Sequence, residues 1–313
     1  MELNKKVISA NFLMLISTGF IAASFPVTQA LLQYWAADIA LFTRFALSTL
    51  VFLALLKMKG NKDKIIPKNW RAYLFISLFY ALFFMSTFEA LKYTTAFNAG
   101  VIYTLMPGLS LLLSWFLFKD SNIKRYLLPL ALSTAASFVV ISNGSMNIGD
   151  FFAHMNMGDI LFIAGTFAMA CFFNITKKYT SKEQPLLSTF YVLLGVTFWL
   201  GIYVAVSGQE FKAQLDILPL ALLLFLVVFC TVITFFSLQY ASRIISPVKS
   251  SSYSYLTPVF VILINLAFFS MQINAIVIIA SLISMASLIY IQWVKPKAIS
   301  PPLPVCNLQA NES

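Results

Sequence analysis

Apolar runs about as long as a bilayer is thick follow one another along this chain, with only short polar breaks between them. A spanning helix needs about 20 mostly apolar residues. Ten stretches qualify: 7–31, 38–57, 70–91, 96–118, 125–142, 158–177, 186–206, 217–240, 248–270 and 273–294. Hydrocarbon offers no partner to an open backbone amide, so such a chain must fold as a bundle of helices that satisfy their own hydrogen bonds. Composition agrees. Of 313 residues, 60% are hydrophobic and 10% charged, against about 25% charged in soluble domains, and the mean hydropathy is +0.86. The expected fold class is an all-α integral membrane protein with ten transmembrane helices, its main partner the lipid bilayer.

The basic residues report topology. The net charge is +10, but Lys and Arg lie between apolar runs rather than on one face, so no nucleic-acid partner is expected. Lys5 and Lys6 precede the first span. Lys57, Lys59, Lys62, Lys64, Lys68 and Arg71 follow the second, and Lys119, Lys124 and Arg125 the fourth. Lys177, Lys178 and Lys182 follow the sixth, Arg243 and Lys249 the eighth, and Lys295 and Lys297 the tenth. The alternate loops carry only Lys92 and Lys212. The positive-inside rule then puts both termini in the cytoplasm, in a cell (inner or plasma) membrane. The first run exceeds the roughly 7–15-residue core of a signal peptide and is read as a retained helix. The tail 295–313, with Pro296, Pro301, Pro302 and Pro304, is expected to be disordered.

Within this array one stretch occurs twice. Glu89 to Asp120 carries Leu91 and Tyr93, then small and polar residues, then Leu105 and Pro107 before an apolar run. Phe236 to Phe269 repeats the plan with Leu238 and Tyr240, then Leu256 and Pro258. The first spans of the two halves correspond more loosely, with Gly19, Phe20, Ala23 and Phe25 against Gly165, Phe167, Ala170 and Phe172. Five spans per half is odd, so the second half inserts upside down. The expected organisation is two inverted five-helix repeats, 1–142 and 158–294, joined by an external linker at 143–157. Inverted repeats are typical of secondary transporters, whose substrate sites lie near mid-membrane between the halves.

Several residues are candidates for that path. Pro107 and Pro258 each free a carbonyl and kink a span, which hydrocarbon tolerates only where neighbours or a cavity re-satisfy it. Arg44 lies within the second span and Glu89 at a similar depth in the third, so they are expected to pair or share a polar site. Such a site is either a gate or carboxylate recognition by the Arg fork, or a structural ion pair, with Lys92 an alternative partner for Glu89. Glu89 is also the one carboxylate placed inside a span, with Asp38, Asp159 and Asp216 at span ends. Proton coupling through it, exchange and facilitated diffusion all stay open. Aromatic candidates for a lining are Phe20, Tyr80, Phe84, Tyr103, Phe167 and Tyr255, set against packing and interface anchoring. Polar candidates are Asn98, Asn174 and Gln239, together with Thr231, Thr234 and Asn265; bonding between helices is their default role. Ser250, Ser251, Ser252 and Tyr253 are read as either an unwound start of the ninth span or a small-residue packing face.

Enzyme chemistry is not expected. His154 is the single histidine and falls in a loop, where it is read as solvated, and the carboxylates are scattered. Cys171, Cys230 and Cys306 have neither disulfide nor metal spacing. No phosphate-binding Gly-rich loop is present. No metal and no cofactor is therefore expected, and no long GxxxG face argues for a dimer.

Ala90-Leu91-Lys92-Tyr93-Thr94-Thr95-Ala96 followed by Leu105-Met106-Pro107, with its second copy Leu238-Gln239-Tyr240-Ala241-Ser242 and Leu256-Thr257-Pro258, resembles the drug/metabolite transporter superfamily, in particular its ten-helix EamA-type branch. Arg44 and Gly158-Asp159 look like further family positions. The resemblance covers essentially the whole chain. It departs at Thr18-Gly19-Phe20, where members often carry Trp-Gly, and after the ninth span, where Met271 and Gln272 replace an acidic residue; Asp120 matches its counterpart after the fourth. The resemblance implies a carrier for small organic solutes, with a cavity among the first, third, fourth, sixth, eighth and ninth spans. Export of amino acids or related metabolites is the leading expectation. Import or exchange of a nucleotide-like cofactor such as S-adenosylmethionine is the alternative, and a non-transporting membrane protein or enzyme the third reading.

Overall fold

The computed structural model describes residues 2–58, 67, 69–118, 123–141, 155–180, 184–208, 213–245, 247–269 and 275–293. Most of the expected linker, the tail, Asp120, His154, Cys306 and the side chain of Asn265 lie outside the described residues.

Every apolar run is helical over its described part. The elements are α1 (Glu2–Leu31), α2 (Ala37–Met58), α3 (Trp70–Ala90), α4 (Ala96–Ile102), α5 (Met106–Phe118), α6 (Ile123–Ile141), α7 (Met157–Thr180), α8 (Pro185–Ser207), α9 (Ile217–Val227), α10 (Thr234–Ile244), α11 (Pro247–Ser252), α12 (Thr257–Phe269) and α13 (Ala275–Trp293). Among the described residues, seven helical stretches are long and apolar enough to cross a membrane. The described residues contain no strand, only an isolated antiparallel bridge between Trp35 and Ala213.

Three of the expected spans are broken by a change of helix type, and the sequence explains two of them. Pro107 has no N–H, so the carbonyl of Tyr103 loses its α-helical partner. A 3₁₀ turn, Tyr103–Leu105, fills the gap between α4 and α5, and the Met106 N–H donates to the Tyr103 carbonyl instead. The second copy does the same. Pro258 orphans the carbonyl of Ser254, a 3₁₀ turn at Tyr253–Leu256 joins α11 to α12, and the Thr257 N–H donates to Ser254. The third break is a π segment, Val228–Ile233, between α9 and α10. It contains no proline or glycine, and the sequence pattern carries no signal for it.

Close helix contacts are set by glycine. On α7, a Cβ at Gly158 would come within 2.6 Å of the Ala90 carbonyl, and one at Gly165 within 2.8 Å of the Ser86 Cβ. These two positions lie seven residues apart on one face and let α3 and α7 approach closely, as small residues do between membrane helices. Beyond this pair, α10 packs on α1, α2 on α8, and α6 on α13; α5 packs on α7 and α12 on α1. Ser250, Ser251 and Ser252 are buried in α11, which packs on α5, so that run is a packing face rather than an unwound start.

Polar ties gather at the end of the bundle where α1 stops and α2 starts. Trp35 Nε1 donates to the Gln214 carbonyl at 2.8 Å, and Ser207 Oγ to Asp38 Oδ2 at 2.6 Å. Thr94 Oγ1 donates to Asp159 Oδ1 at 2.5 Å. Asn156 and Asp159 exchange bonds from backbone N–H to side chain, each at 3.0 Å, in the manner of a capping box at the start of α7. Each of the three ties joins residues before position 142 to residues after 156.

Candidate functional site

Arg44 is the organising residue. It sits seven residues into α2, about 10 Å from the start of the helix at 1.5 Å per residue, and is only 1% exposed. Its Nε–H donates to Thr231 Oγ1 at 2.8 Å and its Nη2–H to the Cys230 carbonyl at 3.2 Å. Both acceptors belong to the π segment. Such a segment adds a residue to the helical ladder and upsets its hydrogen-bond register; here the Cys230 carbonyl accepts from Arg44. Thr231 and Thr234 point their own hydroxyls back to the carbonyls five residues earlier, Leu226 and Phe229. Cys230 Sγ donates to the Phe20 carbonyl at 3.2 Å, tying the same segment to α1. The guanidinium lies over the Phe84 ring at 4.8 Å and the Phe45 ring at 5.7 Å, a placement that stabilises a desolvated cation.

The expected pairing of Arg44 with Glu89 is not what the structure contains. Glu89 instead binds Lys92 at 2.7 Å, one helical turn on, and accepts from Tyr203 Oη at 2.9 Å. Both partners of the Glu89–Lys92 pair are about a third exposed. The reason is geometric. Similar depth in two helices brings side chains together only if both turn to the same interface, and Arg44 is turned into the bundle towards the π segment.

A small cavity, about 20 Å³, opens beside Arg44, enough for a water molecule and too small for a metabolite. It is lined by Ile21, Ser24, Phe25 and Thr28 from α1, Arg44 from α2, and Tyr80, Phe83, Phe84 and Thr87 from α3. Tyr103 of the 3₁₀ turn, Met169 of α7, Cys230 of the π segment, and Thr234 and Leu238 of α10 complete the wall. Its aromatic members pack edge to face: Tyr80 on Phe84 at 5.0 Å, Phe83 on Phe84 at 4.9 Å, and Phe25 on Tyr103 at 6.0 Å. Among the described residues lining it, Arg44 is the one formal charge.

The structure therefore brings together Arg44, Tyr80, Phe84, Tyr103 and Thr234 of the sequence candidates around the cavity, with Thr231 bonded to Arg44. Phe20 packs on Phe229, ring centroids 5.3 Å apart and tilted, beside the site without lining it. Phe167 is 48% exposed on the outer face of α7. Asn174 bridges α7 to Ser110 and Ser114 of α5, at 3.1 and 2.5 Å between side chains. Gln239 and Tyr255 are buried away from the cavity, and Asn98 is half-buried near the start of α4. Sequence reasoning missed Ser24, Phe25 and Thr28 on α1. Ser24 and Thr28 fall four residues apart with Ile21 and Phe25 on the same face, a polar stripe inside an apolar run that could have exposed them. Cys230 offered no such signal, because its role comes from its carbonyl.

The EamA-like transporter family matches this chain over residues 8–142 and again over 156–293. An uncharacterized transporter of Archaeoglobus fulgidus is 27% identical over 221 residues, covering 70% of this chain and 75% of the relative. The uncharacterized transporter YetK of Bacillus subtilis is 23% identical over 235 residues, covering 74% and 71%. A solved crystal structure superposes with a TM-score of 0.71 at 13% identity, covering 92% of this chain and 96% of the other; at that identity the likeness is one of fold alone.

Proposed function

The chain belongs to the EamA-like transporter family, and from that premise we propose that it is a secondary carrier moving small organic metabolites across the membrane by alternating access. The observation that carries the reading is a polar, aromatic-lined cavity at Arg44, walled by segments from both family matches. Secondary carriers bind their substrates at such a place, between repeats and beside interrupted helices. The Tyr103–Leu105 turn puts one such interruption in the wall itself.

The proposed architecture is two inverted halves of five spans each. Support comes from the packing. Exchanging the halves turns α3 on α7 into α10 on α1, and α5 on α7 into α12 on α1, while α2 on α8 and α6 on α13 map onto themselves. The lysine and arginine alternation orients the proposal with both termini cytoplasmic. The ties Trp35–Gln214, Ser207–Asp38 and Thr94–Asp159 then lie outside and hold that side closed. We assign export as the direction, following the family resemblance, with metabolites of about amino-acid size as cargo.

Purified protein in liposomes, offered radiolabelled amino acids, organic acids, nucleosides and S-adenosylmethionine with and without a proton gradient, tests the reading. Saturable flux of one class supports a carrier. Absence of flux for every class, from protein shown to be folded, contradicts it.

A further inference from the structure

We propose that the pocket at Arg44 receives an aryl monocarboxylate, a ring-bearing carboxylate without an ammonium group. The inference rests on the carrier reading for its place in transport, but the binding it describes is measurable without flux.

A guanidinium is cationic at any physiological pH and carries five N–H donors. Arg44 is 1% exposed. Its two hydrogen bonds go to neutral acceptors, Thr231 Oγ1 and the Cys230 carbonyl. Among the described residues no carboxylate stands within ion-pair distance of it, and Glu89 is engaged elsewhere by Lys92 and Tyr203. A buried cation without a counter-ion is costly, and such a charge inside a membrane bundle usually marks a substrate path. The Nε edge is tied to the π segment. The terminal edge, formed by Nη1 and the second Nη2 hydrogen, is the part of the fork left to meet a carboxylate, which pairs with it in two parallel bonds.

The rest of the wall narrows the ligand. Among the described residues no second lysine, arginine or histidine lines the cavity, so one negative charge is matched and two are not. No aspartate or glutamate among the described residues lines it either. A ligand ammonium would find a guanidinium nearby and no carboxylate to offset it, which is repulsive at low dielectric. Amino acids are therefore the disfavoured members of an otherwise matching set. Tyr80, Phe83, Phe84 and Tyr103 line the cavity, Phe84 with its ring against the guanidinium, and together they offer a surface on which a ligand ring packs in offset or edge-to-face geometry. The cavity is too small as it stands, so the ligand must enter with movement of the wall. Tyr103 rides on the 3₁₀ turn before Pro107, where the α-helical bonding of that span is interrupted.

Three molecules of nearly one shape separate the possibilities: 3-phenylpropionate (an anion), phenylalanine (a zwitterion) and phenethylamine (a cation). Equilibrium dialysis of radiolabelled 3-phenylpropionate against the purified, detergent-solubilised full chain, with the other two as competitors, reads the preference directly. The expected result is saturable binding of 3-phenylpropionate at least tenfold tighter than phenylalanine, with no competition from phenethylamine. Cyclohexanepropionate should bind several-fold more weakly than its aromatic counterpart. Arg44→Gln, monodisperse by size exclusion, should lose the preference for the anion while the three ligands converge. If that variant does not fold, Arg44→Lys keeps the charge without the planar fork and should weaken the anion at least fivefold.

Failure of 3-phenylpropionate to bind, phenylalanine binding as tightly, or a preference that survives Arg44→Gln each overturns the proposal. Flux of some other solute without any anion preference overturns it while leaving the carrier reading intact. Anion binding by a protein that transports nothing upholds the site and removes the carrier reading.

Discussion

Arg44 Nε and Thr231 Oγ1 meet at 2.8 Å, although 187 positions separate them in the chain. The bond joins α2 to the π segment, so segments from both family matches share one buried cation. Replacing Thr231 by valine keeps the shape and removes the acceptor. The orphaned donor should cost about 1–3 kcal/mol of stability. A double-mutant cycle with Arg44→Gln checks the pair, read by thermal unfolding in detergent: the two losses should be clearly less than additive, because either substitution breaks the same contact.

Pro107 and Pro258 are each preceded by a 3₁₀ turn, Tyr103–Leu105 and Tyr253–Leu256, that contains the residue whose carbonyl the proline orphans. Alanine at either position restores an N–H and permits a straight helix. Such variants should be at least as heat-resistant as the parent, since an interior proline costs about 3 kcal/mol in a helix. Their transport should fall roughly tenfold if the turns are where the spans flex. Thermal midpoint and initial flux, measured on one preparation, check both halves of this expectation.

Gly158 and Gly108 form a matched contrast. A Cβ at Gly158 meets backbone on α3 and beyond it, the Ala90 carbonyl at 2.6 Å and the Thr94 nitrogen at 2.9 Å, whereas one at Gly108 meets nothing within 4 Å. Gly158→Ala should destabilise by about 1–3 kcal/mol, as over-packing does. Gly108→Ala should be neutral or stabilising by up to about 1 kcal/mol, since Gly inside a helix is the poorer helix former. The two unfolding curves check this.

Glu89 touches Lys92 and Tyr203 rather than Arg44. Its ion pair is partly exposed and worth about 1 kcal/mol or less. Glu89→Gln should therefore leave ligand affinity within about twofold of the parent. A large loss of affinity in an equilibrium binding assay would restore a direct role for this carboxylate in the site.

Much of the fold was legible because bilayer-length apolar runs and the two prolines act locally. A run of twenty apolar residues can do little but form a helix in hydrocarbon, and Pro107 dictates its own break whatever surrounds it. Arg44 was legible as a site for the same reason, since a charge in such a run needs an explanation. Its partner was not. Glu89 matched it in depth, but side-chain direction depends on how α2 and α3 rotate against their neighbours, which no local pattern encodes. The π segment was hidden as well: Val228–Ile233 reads as ordinary apolar helix, and the Cys230 carbonyl that Arg44 uses is the same in every residue. Phe167 and Asn174 show the converse. Both are residue types that suit a lining, yet one faces outward and the other ties α7 to α5.

The most direct test of the account fills the cavity. Met169 of α7 lies in its wall and takes no part in the hydrogen bonds of Arg44, so Met169→Trp adds bulk there and keeps the cation and its two partners. Counterflow of labelled solute into liposomes preloaded with the same solute should be saturable for the parent and at least tenfold slower for the variant, with both proteins monodisperse by size exclusion. Equal counterflow from a folded Met169→Trp protein would place the transport path elsewhere and contradict the account.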